Sequence, residues 1–328
     1  MLDDVNILIT GGTGSFGKKF TEIVLNNYEP RRFIIFSRDE LKQHEMRQWF
    51  SEEKYPCIRY FIGDVRDRDR LYRAFDGVDI VIHAAALKQV PTAEYNPLEA
   101  IKTNILGAAN IIDTAIDRGI EKVVALSTDK AVNPINLYGA TKLCSDKLFV
   151  SGNSYVGKHS TRFSLVRYGN VIGSRGSVIP LFLKMRESGR LPITDKRMTR
   201  FWISLEQGVK LVIKCLEKME GGEIFVPKIP SMKITELAEA IAPESEWDII
   251  GIRPGEKLHE VLIPEDEARN TLEYDDYYVI LPQFHEWNSQ TYQNKNGGKP
   301  CPDEFCYTSS QNSEWLNKDS IKRLISLG

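Results

Sequence analysis

The stretch NILITGGTGSFG, residues 6–17, decides the fold. Its apolar first part, 6–10, predicts a strand, and residues 15–27 predict a helix. The glycines between them follow a Gly-x-x-Gly-x-x-Gly pattern, which lets the backbone approach a pyrophosphate at the positive end of the helix. A Gly-rich turn alone is a weak signal, but its place between strand and helix favours dinucleotide binding. The predicted contacts are Gly11, Thr13, Gly14, Ser15, Phe16 and Gly17.

The rest of the first half alternates short β-branched runs with longer amphipathic stretches. Strands are predicted at 33–37, 58–62, 79–83, 122–127 and 163–168, and helices at 39–49, 96–118 and 138–149. Runs such as VDIVIHAAA are apolar without alternation, which is typical of parallel strands covered on both faces. The pattern predicts an α/β fold with a Rossmann-type doubly wound parallel sheet.

The strict alternation stops after about Ser174, which predicts two parts. Residues 1–173 are expected to form the cofactor-binding Rossmann domain, with segments of 203–228 as candidates to rejoin its sheet. Residues 174–328 are expected to form a smaller substrate-binding part, with helices at 205–220 and 234–242. The stretch 286–313 is rich in Asn, Gln, Ser and Gly, which favours an extended or partly mobile C-terminal arm.

Composition excludes several classes of protein. The 328 residues carry a net charge of −2, which does not suggest a nucleic-acid or anionic-membrane partner. Five scattered cysteines do not form a disulfide framework, and the spacing of Cys301 and Cys306 does not predict a metal site. The N-terminus lacks a signal-peptide pattern, and no apolar run reaches the roughly 18 residues of a membrane span. We therefore expect a soluble, cytoplasmic protein without a bound metal.

The end of the second predicted strand bears on the choice of cofactor. An acidic residue here binds the ribose 2′-hydroxyl of NAD in many such folds. In this chain Arg38 comes first, with the Ser37 hydroxyl beside it and Lys42 one turn later, and a guanidinium with a hydroxyl suits a 2′-phosphate. NADP is therefore predicted over NAD, although Arg38 as a solvated loop charge is the alternative. The stretch comprises Ser37, Arg38, Asp39, Glu40, Leu41 and Lys42.

Further cofactor contacts are predicted along the same sheet edge. Asp64 and Val65 end the third strand, where such folds usually hold the adenine, and Ala84 is one of the small residues after the fourth strand. The remaining predicted contacts are Thr103 and Val171.

Tyr138 and Lys142 form a Tyr-x-x-x-Lys pair on a predicted helix. Residues four apart project from the same helix face. A tyrosine pKa is about 10 in water, and a nearby ammonium lowers it by favouring the phenolate. Tyr138 could then take a proton from a substrate hydroxyl while hydride leaves the same carbon, and Lys142 could also hold the nicotinamide ribose. Such pairs also occur by chance, but this one follows the fifth strand of the predicted fold.

Thr128, Asp129 and Lys130 stand at the end of that fifth strand. Residues at the carboxyl edge of a doubly wound sheet face the ligand crevice. Neighbouring acid and amine groups there could act as a general acid/base pair. A surface ion pair is the alternative, which the proximity of Tyr138 and Lys142 disfavours.

Many blocks of the sequence resemble one known family, the inverting UDP-N-acetylglucosamine 4,6-dehydratases of pseudaminic acid biosynthesis. These are extended short-chain dehydrogenase/reductases of the polysaccharide-biosynthesis type. The likeness runs from about Asn6 to Glu260, and more loosely through FCYTSSQNSEWL. The chief departure is Gln89, where His is expected after Lys88. The blocks are GGTGSFG, SRDELKQ, FIGDVRD, HAAALKQVPTAEYNP, ALSTDKAVNPINLYGATK, RYGNVIGSRGSV, ITDKRMTRFW, GGEIFVPKIPSMKI and IRPGEKLHE.

The resemblance implies roles for the catalytic residues. Related retaining dehydratases carry Thr-Asp-Glu, in which the glutamate removes the C5 proton and the aspartic acid protonates the leaving 6-hydroxyl. Lys130 in place of that glutamate implies a base in a different position and proton delivery to the opposite face of C5. Lys130 must then be neutral for part of the cycle, which needs burial or a neighbouring cation; Lys142 and the oxidised nicotinamide are candidates.

The resemblance also implies the substrate contacts and the overall reaction. UDP-N-acetylglucosamine would be oxidised at C4, lose water and be reduced at C6 with recycled NADP, in a homo-oligomer (dimer or hexamer). The rivals are a nucleotide-sugar 4-epimerase and a non-catalytic NADP-sensing protein of the same fold. Arg200 and Arg253 can bind a diphosphate bidentately. The implied sugar and UDP contacts are Lys88, Asn170, Arg175, Val178, Thr194, Arg200, Arg253 and Glu256.

Overall fold

The computed structural model describes residues 1–173, 178–283 and 289–326. Its first half alternates strands and helices, as predicted, except that the helix expected at 96–118 is divided by a π-turn, Lys102–Leu106. The elements are β1 (Asn6–Thr10), α1 (Ser15–Asn27), β2 (Arg32–Ser37), α2 (Glu40–Arg47), β3 (Ile58–Ile62), α3 (Arg68–Ala74), β4 (Ile80–His83), α4 (Val90–Tyr95), α5 (Pro97–Ile101), α6 (Gly107–Arg118), β5 (Lys122–Thr128), α7 (Leu137–Gly152) and β6 (Arg162–Tyr168).

The second half has shorter elements, separated by prolines and loops. They are β7 (Asn170–Val171), α8 (Val178–Met185), β8 (Arg190–Ile193), β9 (Thr199–Ile203), α9 (Leu205–Lys218), β10 (Ile224–Pro227), β11 (Ser231–Lys233), α10 (Ile234–Ile241), β12 (Glu246–Ile249), β13 (Val261–Ile263), α11 (Glu265–Ala268), β14 (Thr271–Glu273), β15 (Tyr277–Ile280), α12 (Ser289–Asn296), β16 (Lys299–Pro300), β17 (Tyr307–Thr308) and α13 (Lys318–Ser326).

One large sheet organises the molecule. Within the described ranges it has ten strands in the order β16-β14-β15-β10-β6-β5-β4-β1-β2-β3. The strands from β10 to β3 are parallel, and β15, β14 and β16 continue the sheet in antiparallel pairing. The predicted doubly wound α/β fold is confirmed. Segment 224–227 returns to the sheet beside β6 as β10.

The parallel strands form where the sequence is continuously apolar. All five residues of β1 are buried, so both faces of the strand are covered, as the unalternating pattern predicts. Phe20 and Phe33 stack across the α1 side of this core, and Phe149 packs against Phe163. Burying one such side chain contributes about 1.5–3 kcal/mol. This rigid core fixes the carboxyl edge of the sheet, where the predicted site residues lie.

A second hydrophobic cluster lies in the C-terminal half. It joins α8, β8, β9 and α10, with Phe182, Trp202 and Leu237 among its buried side chains, and Ile321 of α13 packs into it. A small sheet, β11-β9-β7, connects this cluster to the end of β6. This second core serves only part of the C-terminal half, because α9, β10 and β15 pack into the first cluster.

The prediction of an extended arm over 286–313 is wrong for its described part. Residues 289–296 form α12, β16 pairs with β14, and β17 pairs with β13. Tyr292 and Tyr307 are buried, and the Tyr307 hydroxyl donates to the backbone carbonyl of Ile229 over 2.9 Å. The polar composition of the stretch conceals these few apolar anchors, which bind it to the main body.

Candidate active site

The glycine loop has the geometry of a phosphate cradle. Gly11 has φ +64°, and a side chain there would come within 2.9 Å of the Ala85 backbone. A Cβ on Gly17 would lie 2.2 Å from the Gly12 carbonyl oxygen, so α1 can pack on the loop only with glycine there. No side chain of the described residues caps the N-terminus of α1, which begins after Gly14. Its first amide groups are therefore available to an anion.

The residues that follow β2 form the proposed ribose pocket. The hydroxyls of Thr13 and Ser37 are 2.8 Å apart, which ties the glycine loop to the end of β2. Asp39 is the N-cap of α2, and its carboxylate accepts a hydrogen bond from the Lys42 backbone N–H. The carboxylate therefore stabilises the start of the helix. Arg38 is half-exposed, with Nη1 3.6 Å from Asp64 Oδ2. Glu40 and Leu41 are exposed, on the first turn of α2.

The opposite wall of this crevice is built from small and apolar residues. Ala84 follows β4 and bonds through its N–H to the Thr10 carbonyl, directly beside the glycine loop. Val65 is buried against Gly107 of α6. Thr103 lies in the π-turn, and its buried hydroxyl has no hydrogen-bond partner among the described residues. Buried polar atoms normally have a hydrogen-bond partner, so a bound ligand in this crevice would supply the one that Thr103 lacks.

The proposed catalytic residues converge where α7 packs on the end of β5. A 3₁₀ turn, Asp129–Ala131, follows β5, and the first turn of α7 lies directly on it. A Cβ on Gly139 would be 2.1 Å from the Lys130 carbonyl oxygen, so only glycine permits this approach. As a result the Tyr138 phenol lies beside the Thr128 side chain, whose polar interaction with it acts to lower the pKa of Tyr138. The structure thus brings Thr128, Asp129, Lys130 and Tyr138 together, and their catalytic roles stay a prediction.

The pKa of Tyr138 is not lowered in this structure. Burial raises the pKa of Tyr138 to about 12, and the nearby Lys130 ammonium offsets this only in part. The expectation that Lys142 lowers this pKa is wrong for the protein alone, because the cation acting on Tyr138 is Lys130. Lys142 itself is buried, and burial lowers its pKa, with Asp146 acting in the opposite direction.

The surroundings of Lys130 also differ from the expectation. Its Nζ donates to Asp129 Oδ1 over 2.9 Å and to Asn170 Oδ1 over 3.3 Å, and lies 3.7 Å from Glu260 Oε1. Burial lowers the pKa of Lys130, but Asp129 and Glu260 together raise it further, and the net shift is upward. The attraction between two opposite unit charges 4 Å apart is about 4 kcal/mol at an effective dielectric constant of about 20. Two carboxylates face this amine, so both stabilise its charged form. The expected lowering by Lys142 is therefore wrong.

The proposed substrate contacts surround this centre from the C-terminal half. Arg200 on β9 donates to the Thr199, Leu258 and Lys257 carbonyls, which fixes its guanidinium. Asn136 caps α7 and donates to the Gly255 carbonyl over 2.7 Å. That bond holds the loop of Arg253 and Glu256, which face each other at 3.8 Å.

The remaining predicted substrate contacts lie on several separate elements. Lys88 lies on the loop before α4, where its side chain as a whole is exposed. Partial burial of its amine end, together with the Lys130 charge, lowers the pKa of Lys88. Val171 is in β7 beside β9, and Val178 begins α8. Thr194 follows β8 and is partly buried. Arg175 lies outside the described residues.

Sequence reasoning missed Glu260 and Lys257. Glu260 is buried, with Oε1 3.8 Å from Arg200 Nε and Oε2 3.7 Å from Lys257 Nζ. Lys257 Nζ also donates to the Asp129 carbonyl over 3.3 Å. The Glu260 backbone exchanges two hydrogen bonds with Ser309, just after β17. Both residues lie in the block IRPGEKLHE, and this block is the part of the sequence from which they could have been predicted.

Two features are absent from the described residues. None of the helices within 1–173, 178–283 and 289–326 has both the length and the apolar character needed to cross a bilayer. In the same ranges no three His, Cys, Asp or Glu side chains cluster in a way that could hold a metal ion. All five cysteines are free thiols.

Comparison with known proteins places the chain in a family. The model of the polysaccharide biosynthesis protein family matches residues 7–282. A Campylobacter jejuni protein named UDP-N-acetylglucosamine 4,6-dehydratase (inverting) is 56% identical, with 99% of this chain and 98% of that protein covered. A Rickettsia massiliae protein named UDP-glucose 4-epimerase is 42% identical, with 99% and 96% covered.

The fold is shared with a solved structure over its whole length. The X-ray structure of Pen from Bacillus thuringiensis matches with a TM-score of 0.89 and 37% identity, covering 100% of this chain and 99% of that one. The resemblance stated from the sequence blocks is thus confirmed by full-length similarity. The chain belongs to the polysaccharide biosynthesis protein family, within the extended short-chain dehydrogenase/reductases.

Proposed function

We propose that the protein is a UDP-N-acetylglucosamine 4,6-dehydratase that inverts C5, a hydro-lyase. Its product would be UDP-2-acetamido-2,6-dideoxy-β-L-arabino-hex-4-ulose, in the first step of pseudaminic acid biosynthesis. The observation that carries the proposal is the ion pair between buried Asp129 and partly buried Lys130, at the carboxyl end of β5 beside Tyr138. Oxidation alone needs the tyrosine, whereas elimination of water needs an additional acid and base.

The proposed cofactor is NADP, bound across the glycine loop and the end of β2. The uncapped N-terminus of α1, the close approach of Gly11 to Ala85 and the orphaned Thr103 hydroxyl all fit a dinucleotide. Asp39 is engaged as the N-cap of α2 and in an ion pair with the Lys42 ammonium. Arg38 and Ser37 are therefore the groups best suited to a 2′-phosphate, with Lys42 beside them. When bound, the nicotinamide supplies hydride acceptance at C4 and hydride return at C6.

The remaining chemistry falls to the side chains. Tyr138 takes the proton of the 4-hydroxyl, and the resulting ketone acidifies C5. The 2.9 Å hydrogen bond from Lys130 to Asp129 allows the ammonium proton to cross to the carboxylate. This transfer creates a neutral amine and a carboxylic acid together. Lys130 then removes the C5 proton, the C6–O bond breaks, and Asp129 protonates the leaving hydroxyl to give water. Reduction at C6 is completed by a proton from solvent that adds to the opposite face of C5, which inverts that carbon.

The C-terminal half is proposed to bind the rest of the substrate. Arg200 and Arg253 would take the diphosphate, and Lys88, Asn170, Arg175, Val178, Thr194 and Glu256 would contact the sugar or uridine. Arg200 is 3.8 Å from Glu260, so a bound diphosphate would also alter the charges around Lys130. We further propose a homo-oligomer in the cytoplasm, where five free thiols would stay reduced.

A product assay tests the reaction. Incubation with UDP-N-acetylglucosamine and substoichiometric NADP in heavy water should give a product lighter by one water, with deuterium at C5 and without net formation of NADPH. NMR and mass spectrometry report all three. An isomeric product would instead support a 4-epimerase, which the 42% identity to the Rickettsia protein makes the rival to test. No product from any UDP-hexose would support a nucleotide-sensing protein.

Cofactor choice gives a second prediction. Arg38→Ala should weaken NADP binding about 10- to 100-fold and leave NAD binding nearly unchanged, because a hydrogen bond to a charged group is worth about 1.5–3 kcal/mol. Titration with NADPH and with NADH, followed by the fluorescence of the reduced nicotinamide, measures both affinities. Arg73→Ala, on the exposed end of α3, is the matched control. Equal loss of NAD and NADP binding would contradict the 2′-phosphate assignment.

A further inference from the structure

Lys257 is a mostly buried cation without a role in the proposed reaction. It lies on the loop that precedes β13, and only 12% of its side chain is exposed. Its Nζ donates to the backbone carbonyl of Val132 and, over 3.3 Å, to that of Asp129. Removing an ammonium from water is costly unless it is paired, so these contacts account for its position. They aim the charge at the 3₁₀ turn Asp129–Ala131, the catalytic turn.

The same loop carries groups that are proposed to bind the substrate. Arg253 and Glu256 face each other at 3.8 Å on it, and Glu256 Oε2 is buried without a hydrogen-bond partner among the described residues. Arg200 donates through Nη2 to the backbone carbonyl of Lys257 over 2.9 Å. One short loop therefore contacts both a proposed diphosphate-binding arginine and the catalytic turn.

The catalytic turn sets the direction of both proposed acid–base groups. It is closed by the Val132 N–H, which donates to the Asp129 carbonyl over 3.2 Å. The Lys257 ammonium bonds to the carbonyls at the two ends of this closure, so it holds the backbone from which Asp129 and Lys130 project. A shift of about 1 Å in that backbone would move both groups relative to C5 and C6, and a misplacement of this size can cost about 10²-fold in rate.

Glu260 connects Lys257 to the proposed base. It is buried, with Oε1 3.7 Å from Lys130 Nζ and Oε2 3.7 Å from Lys257 Nζ. The positive charge of Lys257 partly cancels the field of this carboxylate at Lys130. Lys257 therefore makes it easier for Lys130 to lose a proton, as a base must.

The other charged groups around Lys130 do not replace Lys257. Asp129 favours the ammonium form of Lys130, and Arg200 opposes it but is proposed to meet the diphosphate. Burial lowers the pKa of Lys257, against Glu260 and Asp129, and repulsion from Lys130 adds to the lowering, so the two amines influence each other's charge. The titratable groups that face Lys130 are Asp129 on its own turn, Tyr138 on α7, Arg200 on β9, Lys88 before α4, and Lys257 and Glu260 before β13.

We propose that Lys257 is a positioning residue for the loss of water, which anchors the catalytic turn through the Asp129 and Val132 carbonyls and shares Glu260 with Lys130. The proposal rests on the dehydration of the proposed function and extends it to a residue outside the acid–base pair. C4 oxidation depends on Tyr138, which α7 holds, whereas the Lys257 amine contacts the turn after β5. Loss of Lys257 should therefore slow elimination far more than oxidation.

The test is the ratio of the elimination rate to the C4 oxidation rate in a single turnover. The absorbance of reduced cofactor follows oxidation, and rapid-quench mass spectrometry follows the loss of water. In Lys257→Met the ratio should fall about 10- to 100-fold, because the catalytic turn loses its anchor. Reduced cofactor and 4-keto sugar should accumulate. A smaller folded fraction lowers both rates equally, so the ratio does not follow stability.

KM and two milder variants give further readouts. KM for the nucleotide sugar should stay within about threefold, since the carbonyl at 257 that Arg200 contacts belongs to the backbone. Lys257→Arg retains the charge and the donors, so it should recover most of the ratio. Lys257→Gln keeps a donor without the charge, so its ratio should lie between those of Lys257→Met and the wild type. It decides the matter if Lys257→Met does not fold.

Lys122 offers a matched control at the opposite end of β5. Its Nζ also donates to a backbone carbonyl, that of Leu216 on α9, over 3.0 Å, and it lies 3.9 Å from a Glu121 carboxylate oxygen. Lys122→Met therefore removes a similar anchor far along the strand from the catalytic turn. It should lower the melting temperature and leave the ratio of the two rates unchanged.

The outcomes separate the two levels of proposal. A wild-type protein that reduces NADP with the nucleotide sugar but never releases water would defeat the proposed function, and the role of Lys257 with it. An active wild type whose Lys257→Met variant keeps the same ratio would overturn only the role given to Lys257. An unchanged ratio in Lys257→Gln, beside a methionine variant that does not fold, would overturn it as well.

Discussion

Lys130→Ala should abolish the loss of water from the sugar while NADP binding and C4 oxidation continue. General acid/base catalysis contributes about 10²- to 10⁴-fold, and removal of the amine should cost the elimination step that amount. Reduced cofactor and the 4-keto sugar should therefore accumulate on the enzyme. Rapid-quench mass spectrometry together with cofactor absorbance distinguishes the two steps.

A second substitution at this position separates chemistry from stability. Alanine leaves Asp129 and Glu260 without their shared cation, and breaking a buried pair costs about 3–5 kcal/mol. Lys130→Arg retains the positive charge but cannot give up its proton, so it should fold like the wild type and still fail to eliminate water. Lys147→Ala, on the exposed face of α7, is the control. Elimination at the normal rate in the arginine variant would remove Lys130 as the base.

Tyr138→Phe should stop the reaction one step earlier, before any hydride leaves C4. Burial raises the pKa of this phenol to about 12, so the side chain needs the complete site with its bound cofactor to act as an acceptor. Without the oxygen no group is left to take the 4-hydroxyl proton. The rate of cofactor reduction should fall by about 10²-fold or more.

The measurement is cofactor reduction in single turnover, with the binding constant for NADP determined in parallel. Tyr278→Phe changes another buried tyrosine, in β15, and should leave the rate unchanged. Rapid C4 oxidation by Tyr138→Phe would exclude the tyrosine as the proton acceptor. Lys130, whose charge acts on Tyr138, would then be the next residue to test for that step.

The sequence was sufficient to predict the fold and the local motifs. Parallel strands were predictable because their residues are apolar on both faces, and the glycine loop because its spacing follows from backbone geometry. Thr128, Asp129 and Lys130 could be placed near Tyr138 because they share one sheet edge. The structure adds Gly139, which permits the contact between α7 and the turn after β5.

The electrostatics of the site could not be predicted in the same way. Lys130 was expected beside a cation that lowers its pKa. Arg200 acts in that direction, but Asp129 and, from a distant part of the chain, Glu260 outweigh it. Such pairs leave no periodic pattern in the sequence. The C-terminal stretch was misjudged for a related reason, since a few anchors such as Tyr292 and Tyr307 outweigh a polar composition.

The hydrogen bonds between Glu260 and Ser309 have a consequence for the order in which the protein matures during synthesis. The strands that cradle the dinucleotide leave the ribosome early, and N-terminal units generally fold first. Ser309, which fastens Glu260 beside Lys130, is translated well after those strands. A nascent chain could thus hold its dinucleotide well before it becomes able to dehydrate a sugar.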